Sequence, residues 1–351
     1  MNSDIFYLNL IKITTLGILS SLISFLLVPL YLKIAIYFRL GDRYVDEERL
    51  KKAPIASELH KEKEGIPTMG GIIIWLPPII LAILFFILSK FFGGFYEFLN
   101  FLSRKETYLP LFGLFLGGFL GLIDDLLTRF GKGFKFGAKQ KFLVYFSVAL
   151  FFSWWFVIKL NYKFIELVDF RFPLSFLFIF ILFIFIFLAI AFSFNEIDGL
   201  DGLFAGVAIS VLIFLLLVSI FEEKYNLASF ISTFLGSLFV YLWFNSYPAL
   251  FFGGNNGSFS VGTAIALISF LTGTYLLFPL VGIILVIESG SVIIQIFSKK
   301  FLKRKIFLSS PIHNHFRAKG MKEPKVVVRF WLINFLGVIL GFIIYLIFKL
   351  L

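Results

Sequence analysis

The chain has 351 residues, 60% hydrophobic and only 15% charged, with mean hydropathy +0.97, whereas soluble domains are nearer half apolar and a quarter charged. It has no Cys, which excludes disulfides, thiolate catalysis and Cys-ligated zinc. A net charge of +11 in so apolar a chain points to Lys and Arg beside anionic lipid rather than to nucleic acid, and the class that remains is an all-α polytopic membrane protein.

Spanning helices need about 20 mostly apolar residues. In chain order they are predicted at roughly 9–36, 71–89, 108–127, 142–160, 173–194, 202–221, 227–245, 259–276, 278–298 and 329–350, about ten in a single integral-membrane unit over 1–351. The first apolar run is longer than that of a signal peptide, and no small-residue cleavage site follows it. Only Leu277, Phe278 and Pro279 separate the eighth span from the ninth. The connections at about 37–70, 128–141 and 299–328 hold most of the 32 basic residues. The short ones at about 195–201 and 246–258 share their face and hold none. This bias predicts a cytoplasmic location for all five connections and extracytoplasmic ends for both termini.

Polar residues at the cytoplasmic ends of the spans are candidates for function, because burial of an ionisable group is costly. Asp124 and Asp125 close the third span, where a solvated helix end and a functional pair are equally open readings. Asp198 and Asp201 bracket Gly199-Leu200; if the sixth span begins there, their three-residue spacing turns both to one side, although Asp201 alone reads as a helix N-cap. The string Gly253-Gly254-Asn255-Asn256-Gly257-Ser258 reads either as a turn or as a backbone cradle for an oxyanion. The last cytoplasmic loop carries His313 and His315, two of three His in the chain, and the first carries His60 and Lys63. Carboxylates on one membrane face suit Mg²⁺, which takes one or two of them and completes its shell with phosphate and water. Lys neutralises a diphosphate, and His hydrogen-bonds phosphate or moves protons. Together these residues predict phosphoryl transfer between a soluble donor and a lipid acceptor.

Several strings then carry a resemblance to a known family. They are Gly65-Ile66-Pro67-Thr68-Met69-Gly70-Gly71, Asp124-Asp125, Asn195 with Asp198-Gly199-Leu200-Asp201-Gly202, Trp243 through Ala249, Pro311-Ile312-His313-Asn314-His315-Phe316, and Glu323 through Trp331. From end to end the chain resembles the phospho-N-acetylmuramoyl-pentapeptide transferases, within the polyprenyl-phosphate N-acetylhexosamine-1-phosphate transferase superfamily. The resemblance implies Mg²⁺-dependent transfer of phospho-MurNAc-pentapeptide from UDP-MurNAc-pentapeptide to undecaprenyl phosphate, giving lipid I and UMP for peptidoglycan. It also implies a homodimer in the bacterial cytoplasmic (inner) membrane, with the site on the cytoplasmic face. Carried over by position, it implies catalytic roles for Asp124, Asp125, Asp198, Lys63, His313 and His315. It implies substrate contacts for Asn195, Asp201, Lys141, Asn245, Gly257 and Ser258.

Three departures stand out. The family's Gly-Asp-x-Gly-Ser string, whose Asp the resemblance makes a metal ligand beside Asp198, here carries Asn255. The family's central His of three is Asn314, and Glu196-Ile197 replaces an apolar residue and a Thr. The alternatives are transfer of another sugar phosphate to the same lipid, or a catalytically impaired homologue that binds lipid phosphate or nucleotide. A secondary transporter fits less well, because the acids lie at span ends rather than near mid-bilayer.

Overall fold

The computed structural model describes residues 3–41, 54–59, 63–130, 137–162, 164–168 and 170–351. The remaining parts of the first and second basic connections, including His60, lie outside the described residues. The helices in chain order are α1 (Ser3–Tyr37), α2 (Pro54–Leu59), α3 (Ile72–Phe92), α4 (Gly94–Leu99), α5 (Tyr108–Phe130), α6 (Ala138–Trp154) and α7 (Phe176–Glu196). They continue as α8 (Leu203–Phe221), α9 (Tyr225–Asn245), α10 (Gly254–Leu271), α11 (Phe278–Val281), α12 (Ile283–Phe297), α13 (Ile312–Ala318) and α14 (Glu323–Leu350). Between α6 and α7 the chain forms a small antiparallel hairpin, β1 (Phe164–Leu167) with β2 (Phe170–Pro173). Apart from that hairpin the protein is the expected all-α polytopic membrane protein.

Among the described residues, eight helices are long and apolar enough to cross a membrane: α1, α3, α5, α6 with its π-helical extension, α7, α8, α9 and α14. Two of the ten expected segments differ from them, each for a local reason. The eighth is α10, which starts at Gly254 rather than near 259, so its first turn is the polar Gly/Asn string and the apolar stretch is correspondingly short. The ninth is broken at Gly282 into the one-turn α11 and the 15-residue α12. The helix ends also run further than apolarity alone indicates, α5 to Phe130 and α14 back to Glu323.

Helices α8 and α9 form the interior, while α1, α7 and α14 leave most of their surface facing outward. Apolar side chains give little driving force between helices in lipid, so small residues and hydroxyls close the contacts. On α1 and α9, Gly17 faces Gly236. The Ser21 hydroxyl donates to the Gly236 carbonyl at 3.0 Å, and the Ser232 hydroxyl to that of Ile13 at 2.7 Å. Helix α10 is sheathed by α5 and α7, and this contact places the first group of site residues.

Candidate active site

Gly113, Gly117 and Gly121 recur every fourth residue of α5 and turn toward α10. A Cβ at Gly117 would lie 2.6 Å from the Phe259 carbonyl oxygen, and one at Gly121 2.5 Å from that of Asn255, so the backbones meet only because these side chains are missing. The next position in this series is Asp125. The approach delivers its carboxylate to the N-terminus of α10, where free N–H groups and the helix dipole favour negative charge. Asp125 Oδ1 accepts from the backbone N–H and the side-chain amide of Asn255, at 3.1 and 2.9 Å. Its Oδ2 accepts from the corresponding groups of Asn256, at 3.1 and 3.0 Å. Gly254 makes the fit possible: its φ is +73°, and a Cβ there would lie 2.7 Å from Asp125 Oδ2.

Asp124 is 2% exposed. Its Oδ2 accepts from Lys141 Nζ at 2.6 Å and from the Asn255 amide at 2.8 Å, while its Oδ1 is buried and has no hydrogen-bond partner among the described residues. The Asn255 side-chain Oδ1 accepts from Asn195 Nδ2 at 3.0 Å, and the same Asn195 amide donates to Ser258 Oγ at 2.9 Å. Lys141, with 30% of its side chain exposed, is the open edge of this lobe.

A second lobe gathers around the turn between α7 and α8. Lys63 Nζ reaches Asp201 Oδ1 and Glu323 Oε1, both at 2.5 Å, and donates to the Gly199 carbonyl at 3.3 Å. Asp201 Oδ2 accepts the Ala249 N–H at 2.9 Å, and Glu323 Oε1 the Asp201 N–H at 2.8 Å. Arg317 lies 3.2 Å from Glu323 Oε2. His313 is buried, its Nδ1 3.0 Å from Glu288 Oε2, and its Nε2 edge lies against Gly199, where a Cβ would come within 2.9 Å. Glu196 belongs to this lobe, hydrogen-bonded to Ser289 and close to Glu288 and His313, and so does not stand in for an acid at position 255.

Asp198 lies where the lobes meet. A Cβ on Gly253 would be 3.5 Å from Asp198 Oδ2, and Gly254, the next residue, abuts Asp125. Its surroundings desolvate it although one edge stays partly accessible. Burial pushes its carboxyl up to about 7, with Asp125 and Asp201 adding to the effect and Lys63 opposing it.

The structure therefore brings Asp124, Asp125, Asn195, Lys141, Asn255 and Ser258 together, with Asp198 adjoining. The solvated-end reading of Asp124 and Asp125 does not hold, since α5 continues past them and both are buried. Asp201 caps no helix: Gly202 precedes α8 without a side-chain cap. The Gly254–Ser258 string is the opening of a helix rather than a free turn. Asn245 joins backbone to backbone, accepting from Gly202 N–H at 3.0 Å and donating to the Phe251 carbonyl at 2.9 Å. Gly257 packs against Gly71. His315 stands apart, its Nδ1 accepting the Leu308 N–H at 3.1 Å, with burial and Lys319 lowering its pKa. Asn256, Glu288 and Glu323 were not singled out as site residues. The only signal for Glu323 was its position in the final motif, and the regular spacing of Gly113, Gly117, Gly121 and Asp125 would have marked the α10-facing acid.

For Mg²⁺, which takes one or two carboxylates and fills its shell with water and phosphate, the Asp124 oxygen and the Asp198 carboxylate are donors of the right chemistry. Among the described residues no group of three His, Asp or Glu is placed to hold a metal, so these residues fit an ion shared with a substrate rather than a protein-only cage. Beside Asp125, an apolar cleft of about 330 Å³ opens between α1, α3 and α5. Its lining includes Leu27, Tyr31, Met69, Leu122 and Leu126.

Comparison with known proteins meets this geometry at the same residues. Residues 108–273, from the start of α5 to just past α10, match the model for glycosyl transferase family 4. Residues 63–74, from the buried lysine into α3, match the phospho-N-acetylmuramoyl-pentapeptide-transferase signature 1. A phospho-N-acetylmuramoyl-pentapeptide-transferase of Dictyoglomus turgidum is 34% identical over 329 residues, 93% of this chain and 97% of the relative. The chain belongs to the phospho-N-acetylmuramoyl-pentapeptide-transferase family. Relatives with the same name from Dictyoglomus thermophilum (36% identical; 82% of this chain, 85% of the relative) and Caldanaerobacter subterraneus subsp. tengcongensis (32%; 81% and 85%) agree. The family's signature thus begins at Lys63, the residue tying the first connection to Asp201 and Glu323.

Proposed function

We propose that the protein transfers phospho-MurNAc-pentapeptide from UDP-MurNAc-pentapeptide to undecaprenyl phosphate, forming lipid I and releasing UMP at the cytoplasmic face of the bacterial inner membrane. In this reading both termini lie outside, and two copies assemble as a homodimer. The observation that carries it is the Asp124 carboxylate: buried, with one oxygen unpaired, beside a lysine whose side chain remains open. Such a group accepts a proton from, or faces, an incoming phosphate, while Lys141 neutralises charge developing on the diphosphate. The acceptor phosphate oxygen bonds to the sugar-side phosphorus, the diphosphate bond breaks and UMP leaves. Asp125, held by four N–H groups, fixes the α5–α10 contact that aims its neighbour. The apolar cleft takes the polyprenyl chain, which brings its phosphate to the end of α5. Mg²⁺, when bound together with the donor diphosphate, would be held by Asp124 and Asp198 and would supply charge neutralisation at the diphosphate.

The test is UMP release and lipid product by the purified protein given undecaprenyl phosphate, Mg²⁺ and either UDP-MurNAc-pentapeptide or UDP-GlcNAc. Product from the first donor is expected; product from the second alone overturns the reading. The neutral Asn255 motivates a second reading, a homologue that binds these substrates without turning them over. A silent natural protein alongside an active Asn255→Asp variant would establish it.

A further inference from the structure

Asn255 stands between two acids and a donor in an orientation its neighbours dictate. Its amide nitrogen lies 2.8 Å from Asp124 Oδ2 and 2.9 Å from Asp125 Oδ1, and ionised carboxylates accept only. Its oxygen faces Asn195 Nδ2 at 3.0 Å, and that group donates only. Turning the amide over would set oxygen against two carboxylates and N–H₂ against N–H₂. The Lys141 ammonium completes the arrangement at 2.6 Å from Asp124.

Adjacent carboxylates in a buried site repel strongly unless cationic or N–H groups compensate them. Here the compensation is part of the chain, with one amide spanning both acids. An Asp at position 255 in the same place would put an oxygen about 3 Å from oxygens of both neighbours, creating a three-carboxylate cluster of the kind that divalent cations bind. The backbone N–H groups that hold Asp125 would be unchanged, so the altered position would be the only one demanding an ion.

We propose that Asn255, with Lys141, replaces a divalent cation at the acid pair, so that the resting protein assembles this lobe without one, and that position 255 sets whether the fold depends on an ion. The inference concerns the assembled site and not turnover, so it stands whether or not the transferase reading does.

The experiment is thermal unfolding of the purified full chain in detergent, in EDTA and across a MgCl₂ titration, for the natural protein, Asn255→Asp and the charge-swapped Asp124→Asn/Asn255→Asp. The natural protein is expected to melt at the same temperature throughout. Asn255→Asp is expected to melt several degrees lower in EDTA and to recover saturably with MgCl₂, as a ligand that binds only the folded state requires. The charge-swapped chain is again expected to ignore the ion. If the single variant cannot be purified folded, the double variant decides: its recovery as a folded, ion-insensitive protein supports the inference, and failure to recover it overturns the inference. An Asn255→Asp chain as stable in EDTA as the natural protein, or a natural protein with an equal Mg²⁺ response, also overturns it.

Discussion

Where α5 meets α10, Asp124 keeps one carboxylate oxygen without a donor among the described residues, and its partner Lys141 leaves 30% of its side chain open. Where the turn before α8 meets α14, the side chains of Lys63, Asp201 and Glu323 are 6%, 3% and 3% exposed, and their charges are spent on one another and on backbone. Both regions are built from Lys and carboxylates, and both contain residues the resemblance marks for catalysis. Unused capacity next to an opening is what equips a group to meet a ligand. By that measure the first region is the one equipped to meet a ligand, whereas Lys63, Asp201 and Glu323 brace the turn bearing Asp198.

The sharpest way to break this contrast is Asp124→Asn. It keeps the volume and the contact with α10 but removes the charge, and transfer activity is expected to fall roughly 10²–10⁴-fold, the range for loss of a positioned proton-transfer group. The melting temperature should hardly move; a large thermal loss without an activity loss would reverse the roles of the two regions. Next, Lys63→Met strands Asp201 as a buried carboxylate without its cation and leaves Glu323 to Arg317. The expected cost is about 3–5 kcal/mol of stability, typical of removing one partner from a buried pair, measured by chemical or thermal unfolding in detergent.

A smaller effect sharpens the boundary between the two. Burial holds the Asp198 carboxyl at about 7, above the roughly 3.9 of an unfolded chain, so its ionisation opposes folding. The associated stability is fully present below about pH 4 and is lost as the pH rises through about 7. Asp198→Asn should therefore melt above the natural protein at pH 8 and converge with it toward pH 4, as unfolding scans across that range would show. Last, Leu126→Trp overfills the cleft beside Asp125, a change worth about 1–3 kcal/mol. It should raise KM for the polyprenyl phosphate while leaving KM for the nucleotide donor alone; equal shifts in both would place the lipid chain elsewhere.

Much of this was legible in the chain. Long apolar runs identified the spans because a bilayer admits little else, and Asp124, Asp125 and Asp198 stood out because acids at such positions are expensive. Segments α10 and α12 read less well, since a helix shielded by its neighbours can begin in Asn255-Asn256 or break at Gly282 without facing lipid. Position 255 could be read as a missing acid but not as a donor, because the side on which an amide nitrogen lies depends on partners 60 and 131 residues away in the chain. For the same reason Asp201 read as a cap: its true partners, Lys63 and Ala249, come from distant connections.

The glycine series of α5 has a reach beyond packing. From Gly117 to Asp125 is eight residues, about 12 Å along a helix, so the aim of the acid is decided deep in the hydrocarbon by atoms that are not there. A single methyl group at that depth would act as a wedge on a lever, tilting α5 and swinging the carboxylates away from the start of α10 and from Lys141. Lesions that silence such a protein can therefore arise in its greasiest, chemically blankest stretch, and a compound lodged there could disarm it without approaching either substrate.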